Sequence, residues 1–347
     1  MIFSKTLNHW YSNNKRDLPW RQTKDPYRIW LSEIILQQTQ VAQGLPYYSK
    51  FVHEFPSVFH LAQAEESDVL KLWQGLGYYS RARNLHTTAK YIASELNGVF
   101  PTIYKDLLKL KGIGDYTASA IASICFNKVE AVVDGNVYRV LSRYFGIDTP
   151  INLSKGAKEF KELAQELIDK KNPADFNQAI MEFGATQCRP QSPDCNICPF
   201  NKGCIAFNEN KIGELPVKIK SAKAKKKYFN FLVFIDKDAK TILEKRVGKG
   251  IWQNLYQFPL IETAKSLEFE DFKLAVKKHS LLKEVSFELS LYNEDVIIHK
   301  LSHQHLYTKF WIVKVGQSLP NSIPINKIRT YAVPILIGNF IEHFNFN

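Results

Sequence analysis

No stretch of this sequence approaches the ~20 consecutive apolar residues that a membrane-spanning helix requires, and no internal repeat is visible. Those absences exclude an integral helical membrane protein and a solenoid. The first residues, MIFSKTLNHWYSNNKRDLPW, lack a continuous apolar core followed by a small-residue cleavage site. No secretory signal is read there, and a cytoplasmic location is expected. Cysteine is scarce, five in 347 residues, yet four of the five fall between positions 188 and 204. In a reducing compartment such clustering points to a metal rather than to disulfides. The fifth, Cys125, stands in the apolar run SAIASICF and reads as a core thiol. Acidic residues are also in deficit. Lys and Arg number 46 against 34 Asp and Glu, a formal charge of +12, which favours a polyanionic partner without by itself identifying one.

A chain of this length accommodates two domains. Up to about residue 210 the apolar residues recur at three- and four-residue spacing, as in SEIILQQTQVAQGLPYYSKFVHEF and SRARNLHTTAKYIASEL, and predict helices. Turn signals punctuate them at FPS (55–57), GLGYY (75–79) and FPT (100–102). VKIKSAKAKKKYF then places six lysines in a short segment without a helical apolar face, read as a linker over 216–227. Such a run is either solvated or tracks phosphates. Beyond it, YFNFLVFI, TILEKRV, VSFELSLY, VIIHKLS and HLYTKFWIVKV predict strands, with one helix in FEDFKLAVKKHSLL. The expectation is a mainly α domain over 1–215 and an α+β domain over 228–347.

Three motifs carry chemistry. LLKLKGIGDYTASAIAS (107–123) predicts a helix that ends on a glycine turn and a second helix that begins at once. Gly112 and Gly114 are expected to supply conformational freedom and close approach, leaving backbone N–H groups open to a phosphate. This is the helix-hairpin-helix pattern, which grips a DNA backbone without reading sequence. In AVVDGNVYRVLSR, Asp134 sits at a helix boundary, where an aspartate commonly serves as the N-cap, and Arg139 and Arg143 read as a solvated face. Glu33, among Trp30, Leu31, Ile34, Ile35 and Leu36, is a carboxylate in an apolar helix, so its pKa should be raised. One acid kept protonated beside another kept ionised is an arrangement that cleaves glycosidic bonds. The cysteines, spaced C-x6-C-x2-C-x5-C at 188, 195, 198 and 204, can close around zinc or a four-iron cluster, and spacing physics does not choose between them.

Taken together, LPWR (18–21), WLSEIILQQTQV (30–41), LWQGLGYYSRARNLH (72–86), KGIGDYTASAI (111–121), VVDGNV (132–137) and the cysteine loop resemble the endonuclease III superfamily of DNA glycosylases, and within it the MutY adenine glycosylases. The resemblance runs through nearly the whole chain. It implies a helix-hairpin-helix glycosylase domain in which Cys188, Cys195, Cys198 and Cys204 hold a [4Fe–4S] cluster, presenting Arg189 and Lys202 near the DNA backbone. It implies a monomeric enzyme, nucleoid-associated through DNA, acting on duplexes with adenine opposite 8-oxoguanine and more weakly opposite guanine. Glu33 is implied to protonate the flipped adenine, Asp134 to stabilise the sugar cation, and Tyr116 and Asn136 to hold both carboxyls. Leu18, Trp20 and Arg21 are implied to line or support the base pocket, Gln38 to wedge into the stack, and Tyr78 to sit beside the opposite base.

Tyr116 stands where lyase-active relatives carry a Schiff-base lysine, which implies a monofunctional glycosylase. KGIWQNLYQFPLIE (249–262) resembles the Nudix-like domain with which the MutY family recognises 8-oxoguanine, but no R-E-x-x-E-E hydrolase box is present. The family's recognition loop contains Phe-Ser-His; here it reads Leu301-Ser302-His303, retaining Ser302 and His303 and replacing the aromatic. The alternatives are an oxidised-pyrimidine glycosylase/lyase, against which Tyr116 and the C-terminal domain argue, and a lesion-binding iron–sulfur protein without catalysis, against which Glu33 and Asp134 argue.

Overall fold

The computed structural model describes residues 2–220, 223–283 and 285–346. The chain divides into two compact units, Met1–Gln63 with Asn84–Lys220 and Ala64–Arg83 with Ser221–Asn347.

The first unit is helical. Its long helices include Ile2–Asn14, Pro26–Leu36, Val41–Glu54, Asp115–Phe126, Gly135–Phe145, Ser154–Leu167 and Pro173–Thr186. The apolar segment predicted as continuous through QQTQ is broken there. Pro26–Leu36 ends at Gln37, and Gln38 adopts φ 56°, a left-handed conformation that no helix continues. Asp25 caps the N-terminus of Pro26–Leu36 by accepting from the Tyr27 N–H. Eight of that helix's eleven residues are buried, Glu33 among them, because it runs through the middle of the unit.

The hairpin forms as its sequence predicts, with Tyr104–Leu107 leading through Gly112 into Asp115–Phe126. Gly112 has φ 81°, and a Cβ there would come within 2.7 Å of Asn84 Cβ, so both its handedness and its close approach require glycine. Gly114 differs from expectation. As the N-cap of Asp115–Phe126 it has φ −94°, which any residue adopts, and a Cβ would meet nothing within 4 Å. Its contribution is open space in front of the helix N-terminus.

In the second unit a mixed five-stranded sheet runs in the order Leu260–Thr263, Lys225–Ile235, Gln304–Val315, Phe287–Leu291, with Ile297–Lys300 also paired to Gln304–Val315. The central pair is parallel, with Tyr228 opposite Tyr307 and Leu232 opposite Trp311. Helix Phe269–Lys277 covers one face, where Phe272 stacks on Trp311 at 4.2 Å, and helix Ile335–His343 covers the other, where Phe340 stacks on Phe310 at 4.2 Å. Burial on both faces accounts for the six consecutive buried residues from Phe229 to Phe234.

Two expectations change. TILEKRV is not one strand but two short ones, Lys240–Thr241 and Glu244–Lys245, because only Thr241 and Ile242 are buried and no alternating apolar face holds it straight. The lysine run is not all linker: Lys225, Lys226 and Lys227 open the central strand, while Ser221 and Ala222 lie outside the described residues. Residues 64–83 pack in this unit through Lys71, whose Nζ donates to Arg329 O and Tyr331 O, and through Glu66, which accepts from Asn254 Nδ2 at 2.6 Å.

Candidate active site

Within the first unit a cavity of about 160 Å³ is lined by Leu18, Trp20, Arg21, Glu33, Tyr116, Asp134 and Asn136. Residues read from four separate sequence segments are thereby brought together. The volume is on the order of five water molecules at liquid density, a size suited to one flat base.

Glu33 is 7% exposed, and the Tyr116 hydroxyl donates to its Oε2 at 2.5 Å. Burial pushes the Glu33 carboxyl up to about 7; the Tyr116 hydrogen bond opposes the shift, Asp134 adds to it and Arg21 offsets part of it. Glu33 therefore carries its proton through much of the neutral range. Tyr116, half-buried beside two carboxyls, is held far above the usual phenol range, chiefly by desolvation.

Asp134 is built differently. As N-cap of Gly135–Phe145 it accepts from the Asn136 N–H (2.9 Å) and the Val137 N–H (2.8 Å) through Oδ1, and from Asn136 Nδ2 (2.8 Å) through Oδ2. On balance its pKa is raised, by burial, with these three donors and Arg139 opposing the shift. Charge-assisted N–H donors on both oxygens favour the carboxylate. The cavity thus sets a carboxyl raised to about 7 beside one whose two oxygens are met by N–H donors, an asymmetry suited to protonating a leaving group while a cation develops nearby.

The supporting residues are partly ones that sequence reasoning passed over. Arg139 and Arg143, expected on a solvated face, are buried. Arg139 Nη2 donates to Asn136 Oδ1 (2.9 Å) and Gly184 O (2.6 Å), and Nε donates to Cys188 O (2.7 Å). With its oxygen so engaged, the Asn136 amide can turn only its nitrogen to Asp134. Gly184 allows the contact, since a Cβ there would fall 2.6 Å from Asn136 Cβ. Glu182, absent from every motif, accepts from Arg16 and Arg21 at 2.7 Å each. Burial alone would raise Glu182, but the hydrogen bonds from these two arginines outweigh it and hold the carboxyl at about 2. Arg21 is thereby fixed at the cavity wall, with Trp20 packed edge-on against Tyr48 at 5.0 Å. The LPWR motif offered the signal for a buried acid partner, but nothing in the sequence said where that acid lay.

The four clustered cysteines line a small cavity of about 30 Å³ walled by Phe3, Tyr144, Phe183 and Phe200. Burial, reinforced by the neighbouring sulfurs, raises the thiols of Cys195, Cys198 (to about 11) and Cys204. Four half-buried sulfurs lining one cavity ionise together only with a cation among them, so the donor types suit a thiolate-bound metal group. Among the described residues no three His, Cys, Asp or Glu side chains converge tightly enough to hold a single metal ion. Arg143 clasps the loop, donating to Arg189 O (2.7 Å), Pro190 O (3.0 Å) and Leu215 O (3.0 Å), with Nη1 3.5 Å from Cys188 Sγ.

The remaining predicted residues lie elsewhere than the cavity. Gln38 is exposed, with φ 56°. In the second unit Tyr78, with φ 46° and 53% exposed, shares a 2.8 Å hydrogen bond with Ser302 Oγ. Arg81 shapes that turn, donating to Leu76 O and Gly77 O. His303 is exposed at the tip of the hairpin closed by Leu301 N–H to Gln304 O (2.9 Å). Non-glycine residues held at positive φ are uncommon and gather at functional turns. Among the described residues no helix is long and apolar enough to cross a membrane.

Residues 31–170 match the HhH-GPD superfamily of base excision DNA repair proteins, and residues 230–343 match the NUDIX domain. An adenine DNA glycosylase of Buchnera aphidicola subsp. Baizongia pistaciae is 38% identical over 324 residues, covering 90% of this chain and 86% of the relative. The human adenine DNA glycosylase is 44% identical over 213 residues, covering 59% of this chain and 39% of the relative. Among solved structures, a thermostable thymine-DNA glycosylase superposes with a TM-score of 0.56 at 32% identity, covering 60% of this chain and 96% of its own. The first unit is thus a helix-hairpin-helix glycosylase fold and the second a Nudix-like fold, and the chain is an enzyme that belongs to the adenine DNA glycosylase family of base excision repair proteins.

Proposed function

We propose that this chain removes adenine opposite 8-oxoguanine, and more slowly adenine opposite guanine, from duplex DNA as a monofunctional glycosylase. The observation that carries the reading is the pairing in one base-sized cavity of Glu33, raised to about 7, with the N-capped carboxylate Asp134. Adenine is flipped out of the duplex into this cavity. Protonated Glu33 transfers its proton to N7 of the base. The C1′–N9 bond then breaks, its electron pair leaving with the base, and Asp134 stabilises the cationic sugar until water adds at C1′ and passes its proton to the Glu33 carboxylate. Tyr116 holds Glu33, Asn136 holds Asp134, and Leu18, Trp20 and Arg21 line the pocket. Tyr116 offers no amine for a Schiff base at the hairpin position, which supports hydrolysis without strand nicking.

Gln38, at its left-handed turn, enters the base stack; Gly112 and Gly114 leave the hairpin N–H groups open to a phosphate. Tyr78 and Ser302, joined by their hydrogen bond, address the base opposite the adenine, with His303 on the same loop. Cys188, Cys195, Cys198 and Cys204 hold a [4Fe–4S] cluster, whose role when bound is to fasten the loop carrying Arg189 and Lys202. About four irons per chain, lost in Cys198→Ser, are expected by elemental analysis; zinc in their place would overturn the assignment.

The deciding experiment is strand cleavage of duplexes carrying A opposite 8-oxoguanine, thymine glycol, or T opposite G, with and without hot alkali. Cleavage at A that appears only after alkali is expected. Alkali-independent nicking at thymine glycol, or release of T with A untouched, would refute the reading.

A further inference from the structure

Helix Phe269–Lys277 covers only part of its side of the sheet. The strand register places Tyr228 opposite Tyr307, Lys226 opposite His305, Ile298 opposite Tyr307, and Lys300 opposite His305. All six side chains therefore share one face, at the end of the sheet beyond the Phe272–Trp311 stack. There the two tyrosine rings lie 5.2 Å apart, 29° from parallel, and both are partly exposed. Lys226 Nζ stands 5.6 Å from the centre of the Tyr307 ring, Lys300 is exposed, and Ile298 is 47% exposed. Among the described residues no acid occupies this part of the face in the register. The lysine run divides by strand alternation: Lys225 and Lys227 point to the other face, where Lys227 is neutralised by Glu262 at 2.6 Å. Lys226 forms no ion pair among the described residues and lies beside the tyrosines.

A cross-strand tyrosine pair stabilises a sheet without any ligand. Sheet stability, however, does not call for a rim of cations around half-exposed rings. We propose that this face is a binding platform for single-stranded DNA, with unpaired bases stacking on Tyr228 and Tyr307 and the phosphates following Lys226 and Lys300. The charge selects a polyanion, and the flat rings select one with free aromatic faces. Paired bases in a duplex offer none, so the strand engaged is an unpaired one. This binding is separate from base excision and does not depend on the cavity of the first unit.

The test uses the full chain and fluorescence anisotropy with labelled oligothymidylate and an abasic strand of equal length. Lys226→Glu should weaken oligothymidylate binding about tenfold at low salt and reduce the salt slope by about 1. The double variant Tyr228→Leu/Tyr307→Leu should weaken it about tenfold while leaving the abasic strand unaffected. Because Lys226 is exposed, its variant remains informative even if the tyrosine variant folds poorly. Unchanged oligothymidylate affinity in Lys226→Glu overturns the platform, as does equal loss on the abasic strand in a folded tyrosine variant. Polyglutamate bound as tightly as oligothymidylate would replace DNA with an acidic peptide and also overturn it. Excision of adenine by both variants is expected to match the parent chain, so loss of excision in the parent would refute the glycosylase reading while this binding result stands.

Discussion

Glu33, buried, and Asp134, half-buried, face one cavity, yet their surroundings treat the two carboxyls differently. Around Glu33 the mid-helix N–H groups are already engaged within the helix, and the side chain accepts from the Tyr116 hydroxyl. Around Asp134 the start of a helix turns unpaired N–H groups toward the side chain, and the Asn136 amide adds a third donor. Burial raises both pKa values; the count and kind of donors then decide which acid keeps its proton. Position along a helix, middle against N-terminus, thus decides how strongly donors oppose the effect of burial on each carboxyl.

Removing either pole should have the largest effect. Glu33→Gln keeps the shape and deletes the transferable proton, so single-turnover excision should fall by about 10⁴-fold, toward the upper end for a positioned acid. Asp134→Asn keeps the cap in part and should cost on the order of 10³-fold. Binding to the lesion duplex, measured by gel shift, should survive both; joint loss of binding and excision would mean that the residues serve folding instead. Gly184→Ala tests the anionic pole indirectly. Its Cβ would displace Asn136, and a misplacement of about 1 Å is worth about 100-fold in rate. Tyr116→Phe should cost about tenfold and also move the pH profile. The Tyr116 hydrogen bond lowers the Glu33 pKa, so its loss raises that pKa and shifts the alkaline fall in rate, expected near pH 7, to higher pH. A shift to lower pH would contradict the assigned direction.

The smallest effect is on stability. Glu33 is raised in the fold, so its contribution is complete below the unfolded value near 4.5 and is lost as pH rises through about 7. Glu182 is depressed, so its contribution is complete above 4.5 and is lost as pH falls toward about 2. Thermal melting across that range should show the two slopes with opposite sign, and Glu182→Gln should remove only the acidic one.

Much of this was legible in the sequence because local rules sufficed. An acid in an apolar helix, an aspartate at a helix boundary and a glycine turn between helices each announce themselves within a dozen residues. Strand positions followed wherever both faces were buried, as in YFNFLVFI, and failed in TILEKRV, where the burial pattern is not periodic. What remained hidden depends on distant partners. Glu182 reads as a surface acid until Arg16 and Arg21, more than 160 residues away, are placed on it. Gly184 resembles any helical glycine until Asn136 arrives against it, and residues 64–83 show a helical pattern without indicating that they belong with the C-terminal unit.

Helix Pro173–Thr186 gathers several of these hidden dependencies into one element. Gln178 accepts from the Tyr11 hydroxyl, Met181 lies 3.2 Å from the Tyr116 hydroxyl, Glu182 holds two arginines, and Gly184 admits Asn136. A helix advances about 100° per residue, so a single insertion or deletion after Pro173 would swing every one of these side chains off its partner together. Length variation in this family should therefore be absent from this helix and collect in the surrounding loops.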